Sequence, residues 1–125
     1  MYLIDTHVLL WMFFKKEKLS DRVIELINDS DYLICSVVSL WEISIKQTLG
    51  KLEFRQSIKE IERLCLGHGI LLLNITGEYC EALKKLPPIH SDPFDRMIIA
   101  QAMTEKLTII TRDEKIHQYP VSTIW

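Results

Sequence analysis

Four acidic residues stand beside apolar segments at comparable places along the chain; they are Asp5, Glu42, Asp95 and Asp113. Carboxylates that converge repel one another, and some would be protonated unless a cation compensates their charge. Oxygen ligands without cysteine or histidine suit Mg²⁺ or Mn²⁺. Because Mg²⁺ is commonly shared with phosphate groups and lowers the pKa of a water molecule, such a cluster would favour hydrolysis of a phosphodiester.

Each of these residues also has a structural explanation. Glu42 could complete a capping box with Ser39 at the start of a helix. Thr111 and Glu114 match a second capping box, in which Asp113 would only favour the helix dipole. Taken one at a time, these patterns do not require a functional site.

The segment that contains Asp95 allows the same two interpretations. Asp92 is a good N-cap with Pro93 at the first helical position, so Asp95 could be its partner at the third position. Asp5 alone could be an ordinary loop carboxylate. The order of the structural elements must therefore decide whether the four residues meet.

The elements that would position these residues alternate between strands and helices. Short apolar runs predict strands at 2–4, 32–35, 70–74, 107–110 and 121–125. Caps, apolar spacing and helix breakers predict helices at 8–14, 21–28, 39–49, 58–66, 76–86 and 92–106.

This alternation predicts an α/β fold with a central parallel sheet of four to five strands and helices on both faces. Strand ends and the helix starts that follow them share one edge of a parallel sheet, so Asp5, Glu42 and Asp113 should meet there. Asp95 lies at the N-terminus of its helix and can join them. Because no repeat or linker interrupts the chain, we expect residues 1–125 to form a single domain.

The composition is that of an ordinary globular protein, with 48% hydrophobic and 26% charged residues among 125. A net charge of −2 gives no overall attraction to polyanions, although a local basic rim can suffice. Three widely spaced cysteines without a C-x-x-C pattern argue against a disulfide framework or a zinc site. Asp5 interrupts the apolar N-terminus, and no apolar run approaches ~20 residues. We therefore expect a cytoplasmic protein without a signal peptide or membrane span.

Four segments together extend over nearly the whole chain: LIDTHVLLW from Leu3, SLWEI from Ser39, DPFDRMIIAQA from Asp92 and TRD from Thr111. In this order they resemble segments of PIN-domain ribonucleases, specifically the VapC-type toxins of bacterial and archaeal toxin–antitoxin pairs. Each segment is weakly specific alone, but their order and spacing together are specific. The resemblance implies a PIN-like fold and a Mg²⁺- or Mn²⁺-dependent RNA endonuclease.

The resemblance also implies roles for individual residues. The metal ligands would be Asp5, Glu42, Asp95 and Asp113. Asp113 stands at a position that varies in such proteins, where it could act through water. Thr6 and Thr111 would be supporting hydroxyls, and the protein would be a homodimer whose site is blocked by a cognate antitoxin. Ser91 departs from the subgroup pattern, in which a basic residue often precedes the Asp-Pro pair, and this puts one RNA-facing charge in doubt.

Two basic residues adjoin the acidic positions. Lys46 lies four residues after Glu42, and Arg96 follows Asp95 directly. Each could form a local ion pair or contact a phosphate beside the metal.

The histidines and aromatic residues have weaker functional patterns. His7 is expected to make local hydrogen bonds, and the other three histidines lack the paired spacing of a zinc site. Trp11, Trp41 and Phe94 are expected to be core or dimer contacts rather than platforms for stacked bases.

Other functions for an α/β fold of this kind fit the sequence less well. A haloacid-dehalogenase-type phosphatase needs a second Asp two positions after the first, where this chain has His7. A receiver-like signalling module needs an acceptor Asp at the end of the third strand, where this chain has Asn74. A dinucleotide-binding module is disfavoured because no G-x-G-x-x-G follows the first strand.

Overall fold

The computed structural model describes residues 1–29 and 32–125, which form five strands and seven α-helices. The strands are β1 (Tyr2–Ile4), β2 (Leu33–Ser36), β3 (Leu71–Leu73), β4 (Thr108–Ile110) and β5 (Thr123–Ile124). The helices are α1 (Thr6–Phe14), α2 (Asp21–Asp29), α3 (Val37–Thr48), α4 (Ile58–Gly67), α5 (Gly77–Lys84), α6 (Pro93–Glu105) and α7 (Glu114–His117). Most predicted boundaries shift by one to three residues.

All five strands belong to one sheet in the order β3-β2-β1-β4-β5, and each neighbouring pair is parallel. The first strand is therefore the central one, with Ile4 beside Cys35 on one side and Ile110 on the other. This confirms the predicted parallel sheet. It also places Asp5, Val37 and Thr111, which follow the three middle strands, at one edge.

Two hydrophobic clusters cover the two faces of the sheet. Ile4 belongs to the cluster that contains residues from the first four helices, and Leu3 belongs to the cluster that contains residues from α5, α6 and α7. Both side chains are fully buried. Neighbouring residues of a strand point to opposite faces, so a strand buried on both sides reads as a continuous apolar run. The prediction of helices on both faces is confirmed.

Short polar side chains start the helices at the carboxyl edge of the sheet. Asp5 is the N-cap of α1, Ser36 of α3, and Asp113 of α7, and each accepts a hydrogen bond from a backbone amide two residues on. Because Asp5 and Ser36 cap directly at strand ends, the chain enters these helices without an intervening loop. The caps therefore fix where the side chains at this edge can lie.

The predicted capping box of Ser39 and Glu42 is wrong. Ser36 Oγ accepts the Val38 amide at 3.1 Å, so α3 begins at Val37 and Glu42 lies in its second turn. Ser39 Oγ instead lies 2.8 Å from Thr6 Oγ1 in the interior. The second proposed box, between Thr111 and Glu114, is also wrong, because Asp113 caps α7.

Within residues 1–29 and 32–125, none of the helices has both the length and the apolar character needed to cross a bilayer.

Candidate active site

Asp5 lies at the end of the central strand with both carboxylate oxygens engaged. Its Oδ1 accepts the His7 amide at 2.7 Å, and its Oδ2 accepts the Thr111 hydroxyl at 2.6 Å. The residue is only 5% exposed. Burial raises the pKa of Asp5 above its ordinary value, although the Thr111 hydrogen bond opposes this effect. The predicted supporting hydroxyl of Thr111 therefore contacts a predicted ligand directly.

Glu42 is a buried carboxylate with one unsatisfied oxygen. Its Oε2 accepts a hydrogen bond from Lys46 Nζ at 2.5 Å, one helical turn further along α3. Its Oε1 is buried and has no hydrogen-bond partner within the part of the chain that the structure describes. Because an unpaired buried oxygen carries its full desolvation penalty, Glu42 is suited to accept a ligand at Oε1.

The ammonium group of Lys46 interacts with more than one carboxylate of the acidic cluster. Burial lowers the pKa of its ammonium group, but the hydrogen bond and charge of Glu42, with the charges of Asp92 and Asp95, leave this pKa above its ordinary value. The ion pair expected between Lys46 and Glu42 is therefore present. This ion pair engages Glu42 Oε2 and leaves Oε1 without a partner among the described residues.

Asp95 is the residue on which the charges of the cluster converge. Asp92 caps α6 by accepting the amides of Phe94 and Asp95 on Oδ1, which places Asp95 at the third helical position. The pKa of Asp95 is raised to about 8, first by burial and then by the negative charges of four nearby carboxylates. These carboxylates belong to Asp92, Asp5, Glu42 and Asp113. The other three acidic positions identified in the sequence therefore lie close enough to Asp95 to raise its pKa.

Asp113 joins the cluster through a histidine. His90 Nε2 lies 2.9 Å from Asp113 Oδ2 and 3.1 Å from Asp95 Oδ2. His90 Nδ1 accepts the Asp92 amide at 3.2 Å, so the ring hydrogen of the neutral form lies on Nε2 and is directed at both carboxylates. Burial alone would raise the pKa of Asp113, but hydrogen bonds from His90 and the Lys115 amide hold it below its ordinary value.

His90 is the site residue that sequence reasoning missed. Its spacing to the other histidines argues against a zinc pattern, and nothing else in that spacing indicates a role. The useful signal was its position two residues before the N-cap Asp92, at the edge where the helix begins. In the structure, one ligand atom from each of His90, Asp95 and Asp113 lies within 4.8 Å of the others.

The remaining predicted site residues divide into two groups. The Thr6 hydroxyl is buried against Ser39, so it joins α1 to α3 behind the carboxylates. The structure does not bring Arg96 to the cluster. Its guanidinium donates to the Pro87 carbonyl at 3.0 Å and to the Tyr119 hydroxyl at 3.3 Å. Arg96 therefore stabilises the segment 87–90, which contains His90.

A cleft of about 240 Å³ opens at this edge and is lined by Asp5, His7, Val8, Trp11, Asp95, Arg112 and Asp113. The donor set fits a divalent cation on two observations. Among the residues that the structure describes, a buried oxygen of Glu42 lacks a partner, and burial together with nearby negative charges raises the pKa of Asp95 to about 8. A cation held by carboxylate oxygens would relieve both conditions.

Comparison with known proteins agrees with the fold. The sequence model of the PIN domain matches residues 2–121. The chain is 26% identical over 135 aligned positions to "Ribonuclease VapC22" of Mycobacterium tuberculosis, covering 98% of this chain and 97% of that protein.

Two solved structures share the fold at low sequence identity. VapBC2 from Rickettsia felis, bound to a DNA fragment from its promoter, has a TM-score of 0.72 at 14% identity, covering 98% of this chain and 96% of that chain. A toxin–antitoxin complex from Klebsiella pneumoniae has a TM-score of 0.68 at 18% identity, covering 100% and 97%.

Proposed function

Because the chain belongs to the PIN-domain family, we propose that it is a metal-dependent RNA endonuclease and the toxin of a toxin–antitoxin pair. The observation that carries this proposal is the cleft at the sheet edge that Asp5, Asp95 and Asp113 line together, with the charge of Glu42 also raising the pKa of Asp95. The similarity to a protein named as a VapC ribonuclease supports the same activity. We further propose that residues 1–125 act as one domain in the cytoplasm, where the RNA would be encountered.

Asp5, Glu42 and Asp95 would hold Mg²⁺ or Mn²⁺, with Asp113 bound directly or through water. Such a cation supplies an activated water and neutralises charge that develops on a phosphodiester. The protein's own contribution is to fix the ligands. Thr111 and the His7 amide hold Asp5, and Lys46 holds one oxygen of Glu42 so that the other stays available.

Asp95 would contribute a proton-linked step to metal loading. With a pKa of about 8 in the metal-free protein, its carboxyl group is largely protonated at neutral pH. Binding of a cation would favour the ionised form and release that proton, since carboxylate ligands bind metals deprotonated. Metal affinity should therefore increase with pH across the neutral range.

The proposed partners are an RNA substrate, a cognate antitoxin and a second copy of this chain. Structural neighbours include a VapBC complex and a further toxin–antitoxin complex, which supports an antitoxin partner. Trp41 is 57% exposed and packs edge-on against Phe94, with ring centroids 5.1 Å apart. Exposed aromatic residues are enriched at protein interfaces, so this pair is a reasonable part of a homodimer contact.

The direct test is to incubate the purified protein with RNA in the presence and absence of Mg²⁺ or Mn²⁺. We expect cleavage only with the metal and none with the Asp95→Asn variant. Expression of the chain alone should slow cell growth, and co-expression with the neighbouring small reading frame should restore it. A protein that cleaves no RNA with either metal and leaves growth unchanged would contradict the proposal.

A further inference from the structure

Arg112 is held in place by aromatic rings. Its Cζ lies 4.6 Å from the ring centroid of Trp11 and 5.8 Å from that of Trp125. The two tryptophan rings are themselves 6.0 Å apart at an interplanar angle of 65°. A guanidinium that stacks on aromatic faces is attracted by their quadrupole and gives up none of its N–H donors.

The donors of Arg112 have no hydrogen-bond partner among the residues that the structure describes. Although Arg112 stands between Thr111 and Asp113, its side chain makes no hydrogen bond or salt bridge to residues 1–29 or 32–125. Arg96 behaves in the opposite way, since its guanidinium donates to backbone carbonyls and to Tyr119. Arg112 is therefore an exposed, oriented cation whose planar donor set is available to a ligand.

This cation lies at the mouth of the acidic cleft, whose lining it shares with Asp5, Asp95 and Asp113. Lys18 lies near the same aromatic support, with Nζ 5.7 Å from the Trp11 ring centroid. A cluster of carboxylates repels a polyanion, so productive binding of RNA needs positive charge where the strand enters.

We propose that Arg112, stacked on Trp11 and Trp125, is a phosphate-binding site for the RNA strand at the rim of the cleft. The inference rests on the proposed function, because the scissile phosphate must lie at the carboxylates and the phosphates beside it must then pass the rim. The planar guanidinium matches two phosphate oxygens, which a single ammonium cannot do. Trp11 also packs against the hydrophobic cluster that contains Ile4, as the sequence predicted, so the same ring contributes to the core and supports Arg112.

The test measures RNA binding apart from cleavage. Asp95→Asn protein, without divalent metal, is titrated into a labelled single-stranded RNA over a series of salt concentrations. Adding Arg112→Gln should weaken binding about tenfold, as expected for a charge-assisted hydrogen bond. The slope of log K against log salt should fall by about 0.7, the value for one phosphate contact on a single strand.

The matched control is Arg22→Gln, which removes the same charge from an exposed position of α2. It should change RNA affinity less than twofold, since it lies outside the cleft lining. Arg112→Lys keeps the charge but not the planar fork, so we expect intermediate affinity with the slope retained. If Arg112→Gln does not fold, Arg112→Lys tests the site in its place. An RNA affinity of Arg112→Lys equal to that of the protein with Arg112 unchanged would then contradict the proposed phosphate contact.

Three results would overturn the inference. They are equal RNA affinities for the Arg112→Gln and Arg22→Gln proteins, no RNA binding by the Asp95→Asn protein itself, or a loss confined to antitoxin binding. A loss confined to antitoxin binding would mean that Arg112 binds a carboxylate of the antitoxin and not an RNA phosphate. Cleavage by the unsubstituted protein is scored separately, so normal cleavage with unchanged Arg112→Gln binding would reject this site and leave the proposed function standing.

Discussion

The two sides of the acidic cluster hold their carboxylates in different ways. Asp5 and Glu42 are almost completely buried, and each has dedicated donors, a threonine hydroxyl and a backbone amide for Asp5 and a lysine for Glu42. Asp95 and Asp113 are less buried and share one donor, His90 Nε2, although Asp113 also accepts the Lys115 amide. The two carboxylates of the first pair therefore have separate donors, whereas those of the second pair are joined by one ring.

Sharing His90 does not give Asp95 and Asp113 the same acidity. The distances from Nε2 are 3.1 and 2.9 Å, yet the pKa of Asp95 rises to about 8 while that of Asp113 falls below its ordinary value. The side chain of Asp95 is 16% exposed and that of Asp113 is 33% exposed. Burial and the surrounding carboxylates therefore decide the outcome for Asp95, and the repulsion within the cluster is concentrated on this residue.

The largest effect is expected from Asp95→Asn. We predict that this change lowers RNA cleavage by about 10²- to 10³-fold, the size found when one group that stabilises transition-state charge is removed. Stability of the metal-free protein at neutral pH should stay the same or rise by about 1 kcal/mol, because Asn does not carry the cost of holding a proton that the unfolded state loses. Cleavage assays and thermal melting in EDTA measure the two quantities.

Asn is nearly isosteric with Asp, so lost activity in this variant could not be blamed on packing. The rise in melting temperature that Mn²⁺ produces in the unsubstituted protein by mass action should also shrink. An Asp95→Asn protein with full activity would remove the central ligand from the proposed site.

The next effect concerns the ring that the second pair shares. His90→Ala should weaken Mn²⁺ binding about 10- to 100-fold, as for other residues that orient metal ligands through hydrogen bonds. His90→Gln, which keeps an N–H donor, should restore part of the affinity. The dependence of melting temperature on Mn²⁺ concentration gives the measurement, and His68→Ala at an exposed position serves as the control. Tighter metal binding by His90→Ala would mean that the ring competes with the cation.

The sequence was most informative about features that neighbouring residues determine, namely the buried strands and the starts of helices. The apolar run of Tyr2–Ile4 predicted a central strand, and Asp92 with Pro93 predicted the start of α6 within one residue. Asp95 could therefore be placed in the first turn of its helix. These predictions depend on burial pattern and capping, which neighbouring residues encode.

The sequence was less informative about contacts between distant segments. Ser39 matches a cap in the sequence and so predicts Glu42 in a first turn, but the Ser39 hydroxyl pairs with that of Thr6, which lies 33 residues away. The sequence spacing of His90 indicates no site, because its partners, Asp113 and Asp95, come together only through the sheet. Arg96 adjoins Asp95 in sequence, but its side chain contacts Pro87 and Tyr119. Side-chain direction of this kind is settled by tertiary packing.

A smaller effect is expected from pH on the metal-free protein. The pKa of Asp95 is about 8 in the folded protein and near 3.8, the ordinary value of an aspartate side chain, in the unfolded chain. Between these values the folded state holds a proton that the unfolded state has lost, so stability should fall as pH rises from about 4 to about 8. Asp5, whose pKa is also raised, contributes with the same sign.

Asp113 contributes with the opposite sign and outside this range. Its folded pKa is lowered, so its stabilisation is present above its unfolded pKa and is lost only as pH falls below that value. Melting temperatures at pH 5 and pH 8 in EDTA should therefore differ in favour of pH 5. The difference should shrink in Asp95→Asn, and an undiminished difference there would place the titration on another group.

The smallest effect separates two carboxylates three residues apart. Asp92 Oδ1 accepts the amides of Phe94 and Asp95 at 2.8 and 3.1 Å, so its role is that of an N-cap. Loss of such a cap costs about 1 kcal/mol. We predict that Asp92→Ala lowers the free energy of unfolding by this amount and leaves substantial cleavage.

The comparison with Asp95→Asn makes this prediction decisive. In Asp92→Ala, the increase in melting temperature caused by Mn²⁺ should persist, because a cap supports the helix and not the cation directly. Asp92 is also a source of the charge that raises the pKa of Asp95, so removing it should lower that pKa and make metal binding less dependent on pH. If Asp92→Ala abolishes cleavage and metal stabilisation while Asp95→Asn retains both, Asp92 is the ligand, and the first turn of α6 presents a different carboxylate to the cluster.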